Sequence, residues 1–175
     1  LGLGDELAHA DDDELPVLTE ILGRDEIGEV GARLRRSIRD AHPQCVGVDV
    51  NERYSSIYRE AGGIQFLSSS FERLDAGKLG RDYDCISLWS VLEHLYDLHA
   101  NLEQIKRMLK PRGLLFILVP NVESLATRLM RERSPTFAWK HISHFSPASL
   151  KYLMSMHGLP CEHFETVITE IDNIK

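Results

Sequence analysis

With 175 residues, 43% of them apolar and 27% charged, the chain has the size and composition of one globular domain with its own core. No apolar run approaches the roughly 20 residues that cross a bilayer, which argues against a membrane helix. A net charge of −7 argues against a nucleic-acid partner, because such binding draws most of its affinity from neutralised phosphates.

No signal-peptide pattern is visible. A chain that starts at Leu1 is expected to lack at least its initiator. Cys45, Cys85 and Cys161 lie in or beside apolar stretches without paired spacing, so they are expected to be free, buried thiols in a reducing, cytoplasmic setting.

The acidic stretches Asp5-Glu6 and Asp11-Asp12-Asp13-Glu14 are expected to face solvent, and residues 1–24 read as an acidic amino-terminal segment ahead of a single domain at 25–175. Val17, Leu18, Ile21 and Leu22 fit a helix and a short strand equally. Ile27, Val30, Leu34 and Ile38 predict an amphipathic helix to about Asp40, closed by His42-Pro43. Cys45 to Val50 reads as a short buried strand. Asn51 then caps a helix through Tyr54, Ile57 and Ala61 that Gly62-Gly63 ends, and Ile64 to Leu67 reads as another strand.

The richest stretch begins at Tyr83. An apolar run of strand length leads into Glu93-His94, and Leu98, Leu102, Ile105 and Leu109 recur at helical spacing between an Asp97 cap and a Pro111 stop. Gly113 to Val119 is a second apolar strand, closed by Pro120-Asn121. Strand, helix and strand at this spacing imply a parallel crossover. Leu125 and Leu129 mark a further helix within residues 124–133, residues 134–145 read as a loop or lid, and Ser146-Pro147 starts a helix that Gly158 ends. Residues 162–168 alternate as a last strand would. The alternation predicts an α/β sandwich around a mainly parallel sheet. The basic groups Arg33, Arg35, Arg36, Arg39 and Arg128, Arg131, Arg133, Lys140 read as solvated helix faces. The second set could instead meet an acidic or phosphorylated ligand.

Asp84, the run Val91-Leu92-Glu93-His94-Leu95, the pair Lys110-Pro111 with Gly113, the ending Val119-Pro120-Asn121 and the later run His141 to Leu150 resemble class I S-adenosylmethionine-dependent methyltransferases. The similarity is to the small-molecule branch, which includes quinone-pathway enzymes and those acting on glycan or natural-product precursors, and it runs from about Cys45 to Phe164. It implies a Rossmann-like, doubly wound sheet with helices on both faces, a cofactor S-adenosylmethionine that leaves as S-adenosylhomocysteine, and a small-molecule, sugar or lipid-precursor acceptor. The oligomeric state is not implied.

Open parallel sheets bind ligands outside the carboxyl ends of their strands, which singles out a few positions. Asp49, with Val50 beside it, ends its strand where a carboxylate can accept from the vicinal hydroxyls of a ribose; helix capping before Asn51 is the plainer alternative. The resemblance implies that Ser70 and the neighbouring Phe71 amide recognise the adenine, with Ser70 where an acid usually stands. Trp89 and Ser90 would lie beside the methionine part, although Trp89 could equally be core. Glu93 and His94, being adjacent on a turn, are expected to point apart, one into the cleft and one bracing the turn. His94 is the candidate general base.

His141 and His144 are three apart and could share one helical face as catalytic or substrate-binding groups; a pair alone is a poor metal signal, and no metal site is expected. The resemblance also implies an acid followed by alternating glycines after the first strand. The nearest run is Glu26-Ile27-Gly28-Glu29-Val30-Gly31, one residue short, with Glu29 and Val30 where small residues would stand. Glu26, Gly28 and Gly31 are therefore the expected cofactor loop. The competing readings are a methyltransferase-like interaction module that has lost its cofactor and a nicotinamide-dependent oxidoreductase, which would need a better phosphate loop.

Overall fold

The computed structural model describes residues 17–21, 45–52, 55–56, 64–74, 79 and 81–166. Five strands, β1 (Val17–Ile21), β2 (Cys45–Asp49), β3 (Ile64–Ser68), β4 (Tyr83–Trp89) and β5 (Leu109–Leu118), form one sheet in the order β3-β2-β1-β4-β5. Every pairing is parallel. The doubly wound, Rossmann-like sheet expected from the sequence is thus present.

The undecided segment Val17–Ile21 is the central strand: Glu20 pairs with Val48 on one side and Leu88 on the other. Its apolar residues cannot distinguish strand from helix by themselves, and the partners on both flanks decide. This central strand lies inside the stretch read as an acidic leader, so the sheet begins ahead of residue 25. The helix expected over 27–40, most of the helix expected after Asn51 and the candidate loop Glu26, Gly28 and Gly31 lie outside the described residues.

Strand order runs one way from β1 to β3 and the other way from β4 to β5, so the reversal lies between β1 and β4. A crevice outside the carboxyl ends of those strands is where such sheets take ligands. β2 and β4 hold the core: Val46, Val48, Ile86 and Leu88 are buried, and with them Phe71, Leu92, Leu102, Ile105 and Met108.

Helix α1 (Leu98–Met108) is capped as expected, with Asp97 Oδ1 accepting from the Ala100 amide at 2.9 Å. It ends at Met108, before Pro111, because Leu109 already pairs with Tyr83. β5 therefore starts earlier than Gly113, and the register between β4 and β5 shifts between Tyr83 and Cys85. Gly113 fits this irregularity because it has no side chain: a Cβ would lie 2.8 Å from the Tyr83 carbonyl oxygen and 2.9 Å from Leu109 Cδ2. Gly113→Ala is accordingly expected to cost about 1–3 kcal/mol of stability. Urea unfolding checks this, and an unchanged midpoint would contradict it.

Helix α2 (Leu125–Met130) starts at Ser124, whose hydroxyl accepts from the Thr127 amide at 3.1 Å. Helix α3 (Pro147–Met156) has the expected Ser146 cap, here reciprocated by Ser149, and Gly158 at φ +66° follows its end. His157, buried just after α3, donates from Nδ1 to Glu103 Oε1 at 2.7 Å, while its Nε2 lies 2.8 Å from His99 Nδ1. Its carbonyl accepts from Lys106 Nζ at 2.8 Å, so one residue ties α3 to α1.

Residues 162–166 run as coil rather than as the expected last strand, and 167–168 lie outside the described residues. Cys161 is exposed and Cys85 half-buried; both are free thiols, so burial was overestimated for Cys161. None of the helices among the described residues is long and apolar enough to cross a membrane.

Candidate functional site

At the carboxyl end of β4 the chain leaves the sheet sharply. Ser90 takes φ +54°, a left-handed conformation that non-glycine residues rarely adopt, and its amide donates to the Leu118 carbonyl at 2.9 Å. A short 3₁₀ helix, Leu92–His94, follows. Val91, Leu92 and Leu95 all plug into the core, which drags the intervening Glu93 inside, where its side chain is 1% exposed.

Neither Glu93 carboxylate oxygen makes a full hydrogen bond among the described residues. Burial accordingly pushes its pKa up from 4.5 to about 7, against the pull of its own amide, the Lys140 charge and the Ser90 hydroxyl. Its backbone carbonyl accepts from the Ile142 amide at 2.8 Å and the Ser143 amide at 3.1 Å, which clamps the later loop onto this turn.

That loop has its own anchor. Thr127 is buried, and its hydroxyl meets the Asn121 carbonyl at 3.2 Å, Ser134 Oγ at 3.3 Å and Thr136 Oγ1 at 3.1 Å. A parallel bridge between Asn121 and Phe145 then holds the far end beside the carboxyl edge of β5. Residues 134–145 form the loop expected from their lack of period, with a single 3₁₀ turn at Pro135–Phe137.

The clamp brings His141 against His94, with ring centroids 4.9 Å apart and planes at 74°. His94 Nδ1 lies 2.9 Å from the Lys140 carbonyl oxygen and His141 Nδ1 2.9 Å from the Thr136 carbonyl oxygen. A carbonyl only accepts, so both rings are protonated at Nδ1, and in the neutral form the lone pair is on Nε2. His94 Nε2 is 3.8 Å from Glu93 Oε1. Burial, ahead of any other influence, lowers the pKa of His94.

Glu93 and His94 therefore meet in one space rather than pointing apart, because the turn is a tight 3₁₀ helix whose next residues are braced by the loop. His141 and His144 do not share a helical face. They lie in coil, and the His144 ring lies tilted against Phe137, centroids 5.4 Å apart, instead of joining the cluster. The sequence signal for Glu93 was available, since a lone acid between Val91-Leu92 and Leu95 has no solvated face to occupy.

Around the same edge, Asp49 ends β2 with 1% exposure, and its Oδ1 accepts from the Asn51 amide at 2.7 Å. Its carbonyl accepts from the Ser69 amide at 3.0 Å, holding the exit of β3 beside it. Val50 is exposed. Ser70 precedes the short helix Phe71–Arg73 without capping it by its side chain. Phe71 buries its ring completely, so its contribution to a ligand is confined to its backbone. Glu72 Oε1 accepts from the Tyr96 amide at 2.7 Å, joining this loop to the Glu93 turn. Trp89 is half-buried, and its Nε1–H is buried with no acceptor among the described residues.

A family model described as "Methyltransferase domain" matches residues 28–163. The chain belongs to this methyltransferase family. It is 27% identical over 124 residues to the C-methyltransferase NovU of Streptomyces niveus, a stretch that covers 69% of this chain and 29% of NovU. Among solved structures, a S-adenosylmethionine-dependent methyltransferase of Thermotoga maritima aligns with a TM-score of 0.58 at 24% identity, over 81% of this chain and 62% of that one. A putative methyltransferase of Haloferax volcanii, in complex with the Trm112 activator, aligns at 0.61 with 21% identity over 87% and 65%. The plantazolicin methyltransferase BpumL, in complex with S-adenosylhomocysteine, aligns at 0.60 with 15% identity over 83% and 56%. The chain thus has the methyltransferase fold and spans less than two thirds of each of these proteins.

Proposed function

We propose that this chain transfers a methyl group from S-adenosylmethionine to a small-molecule acceptor and releases S-adenosylhomocysteine, and that it does so in the cytoplasm, where its free thiols would stay reduced. The observation that carries the reading is the convergence of Asp49, Trp89 and the Glu93-His94-His141 cluster on the carboxyl edge of the parallel sheet, next to the strand-order reversal. Family membership and the S-adenosylhomocysteine bound to BpumL support the cofactor; the name of BpumL, a plantazolicin methyltransferase, supports a natural-product acceptor.

The residues present fit the cofactor. The Asp49 carboxylate would accept from the ribose hydroxyls, with Val50 alongside. Ser70 and the Phe71 backbone would meet the adenine, and Trp89 with Ser90 would flank the methionine arm. The Trp89 indole N–H, buried without an acceptor among the described residues, suits a ligand oxygen at that position. When bound, the cofactor supplies an electrophilic methyl on a sulfonium. The chain's own work is to align the acceptor in line with that methyl and to take up the proton it sheds.

That second task falls to the cluster, where two imidazoles give Nδ1–H to backbone carbonyls, so that in the neutral form the lone pair is on Nε2, and His94 Nε2 lies 3.8 Å from Glu93 Oε1. His144 is assigned to the acceptor-side loop, outside the cluster. His94→Gln and His141→Gln are each expected to lower methyl transfer to a sugar, phenol or lipid-precursor acceptor by about 10²- to 10⁴-fold while sparing S-adenosylhomocysteine affinity. Radiolabelled methyl transfer and calorimetry read the two effects separately. Lost cofactor affinity with unchanged turnover at saturation would move the histidines to the cofactor side.

A further inference from the structure

We propose that Glu93, His94 and His141 form a binding site for a divalent transition-metal ion such as Zn²⁺, open on one side to the acceptor. The inference rests on the reading above and replaces its proton step: with an ion bound, both Nε2 lone pairs are taken, and coordination rather than proton uptake by the imidazoles would activate the acceptor.

The first argument is donor geometry. One carboxylate oxygen and two imidazole nitrogens lie within 4.8 Å of one another, and His94 Nε2 and Glu93 Oε1 are already 3.8 Å apart. Metal–ligand bonds of about 2.0–2.2 Å put tetrahedral neighbours roughly 3.4 Å apart, so small side-chain rotations close the set. The second is orientation. Each ring gives its Nδ1–H to a backbone carbonyl, Lys140 for His94 and Thr136 for His141, which is the outer-shell arrangement that fixes a ligating histidine in the Nδ1–H tautomer with its lone pair on Nε2.

The third is that Glu93 is 1% exposed and lacks a full hydrogen bond among the described residues, a burial that a carboxylate tolerates poorly unless something positive faces it. Two nitrogens and one carboxylate suit Zn²⁺ and its borderline neighbours better than the all-oxygen ions Mg²⁺ and Ca²⁺. Three protein ligands leave positions for a substrate oxygen, as catalytic sites do. An acceptor hydroxyl bound there would lose its proton to solvent water and keep the electron pair that attacks the methyl.

The test is made on the purified chain, stripped with EDTA and desalted. ZnCl₂ is titrated calorimetrically, and CoCl₂ is followed by its visible absorption. We expect one ion per chain, with affinity falling by about tenfold or more in His94→Gln, His141→Gln and Glu93→Gln, since even outer-shell changes cost 10- to 100-fold. His163→Ala, an exposed histidine beside Glu165, should leave the binding unchanged. The absence of saturable 1:1 binding, or binding that survives all three cluster variants, would overturn the proposal. Melting curves of each variant distinguish a lost ligand from a lost fold. S-Adenosylhomocysteine is titrated in parallel: its binding without an ion sinks the metal site alone, whereas an ion without its binding sinks the methyltransferase reading alone.

Discussion

The stability difference between Glu93→Gln and the wild type should shift in the variant's favour by about 3 kcal/mol as the pH rises from about 4 to about 8 in metal-free buffer. Glu93 titrates near 4.5 when exposed and at about 7 in the folded chain, chiefly because burial penalises its charge. A carboxylate whose pKa is raised by folding contributes its full stability below the unfolded value, and that contribution is lost as the pH climbs through the folded value. The wild type should therefore weaken between about pH 4.5 and pH 7 and level off above, while a glutamine at the same position has nothing to ionise. Urea midpoints of the two proteins across that range, with EDTA present, measure the divergence. Parallel curves would mean that Glu93 is charged at little cost, and with it would go the account of its burial.

Much of this architecture is legible in the sequence wherever one local cause dominates. Ser146-Pro147 and Gly158 delimit α3 because a cap, a first-turn proline and a left-handed glycine act on the backbone directly. The run Tyr83 to Trp89 reads as a strand because it is apolar on both faces. Val17–Ile21 was ambiguous because five residues carry no periodicity, and only β2 and β4 on its flanks make it the centre of the sheet.

The candidate site divides along the same line. Asp49, Trp89 and Ser90 could be picked out because strand ends are local features. The partnership of His94 with His141 could not, because it is made by the Glu93 carbonyl gripping the Ile142 and Ser143 amides across a long stretch of chain. Spacing of three favoured His141 with His144, but helical spacing carries no meaning in a segment that is coil.

Asp49→Ala is expected to weaken S-adenosylhomocysteine binding by about 1.5–3 kcal/mol, roughly 10- to 150-fold in Kd, the scale of a charge-assisted hydrogen bond. Asp49 ends β2 at the ligand edge of the sheet with its side chain 1% exposed. Its Oδ1 also accepts from the Asn51 amide at 2.7 Å, so alanine should lower stability by about 1 kcal/mol as well. Asp49→Asn separates the two effects: an amide oxygen can still serve Asn51, while the charge that strengthens a ribose contact is gone. Unaltered affinity in both variants would reduce Asp49 to a cap for the turn after β2.

Calorimetric titration of the wild-type chain with S-adenosylhomocysteine tests the central claim most directly, because it needs no acceptor and no assumption about the ion. A methyltransferase domain with its cofactor site on the carboxyl edge of this sheet predicts saturable binding of one molecule per chain, weakened in Asp49→Ala and retained in His94→Gln. No saturable binding by a chain whose melting transition shows it to be folded would contradict the claim.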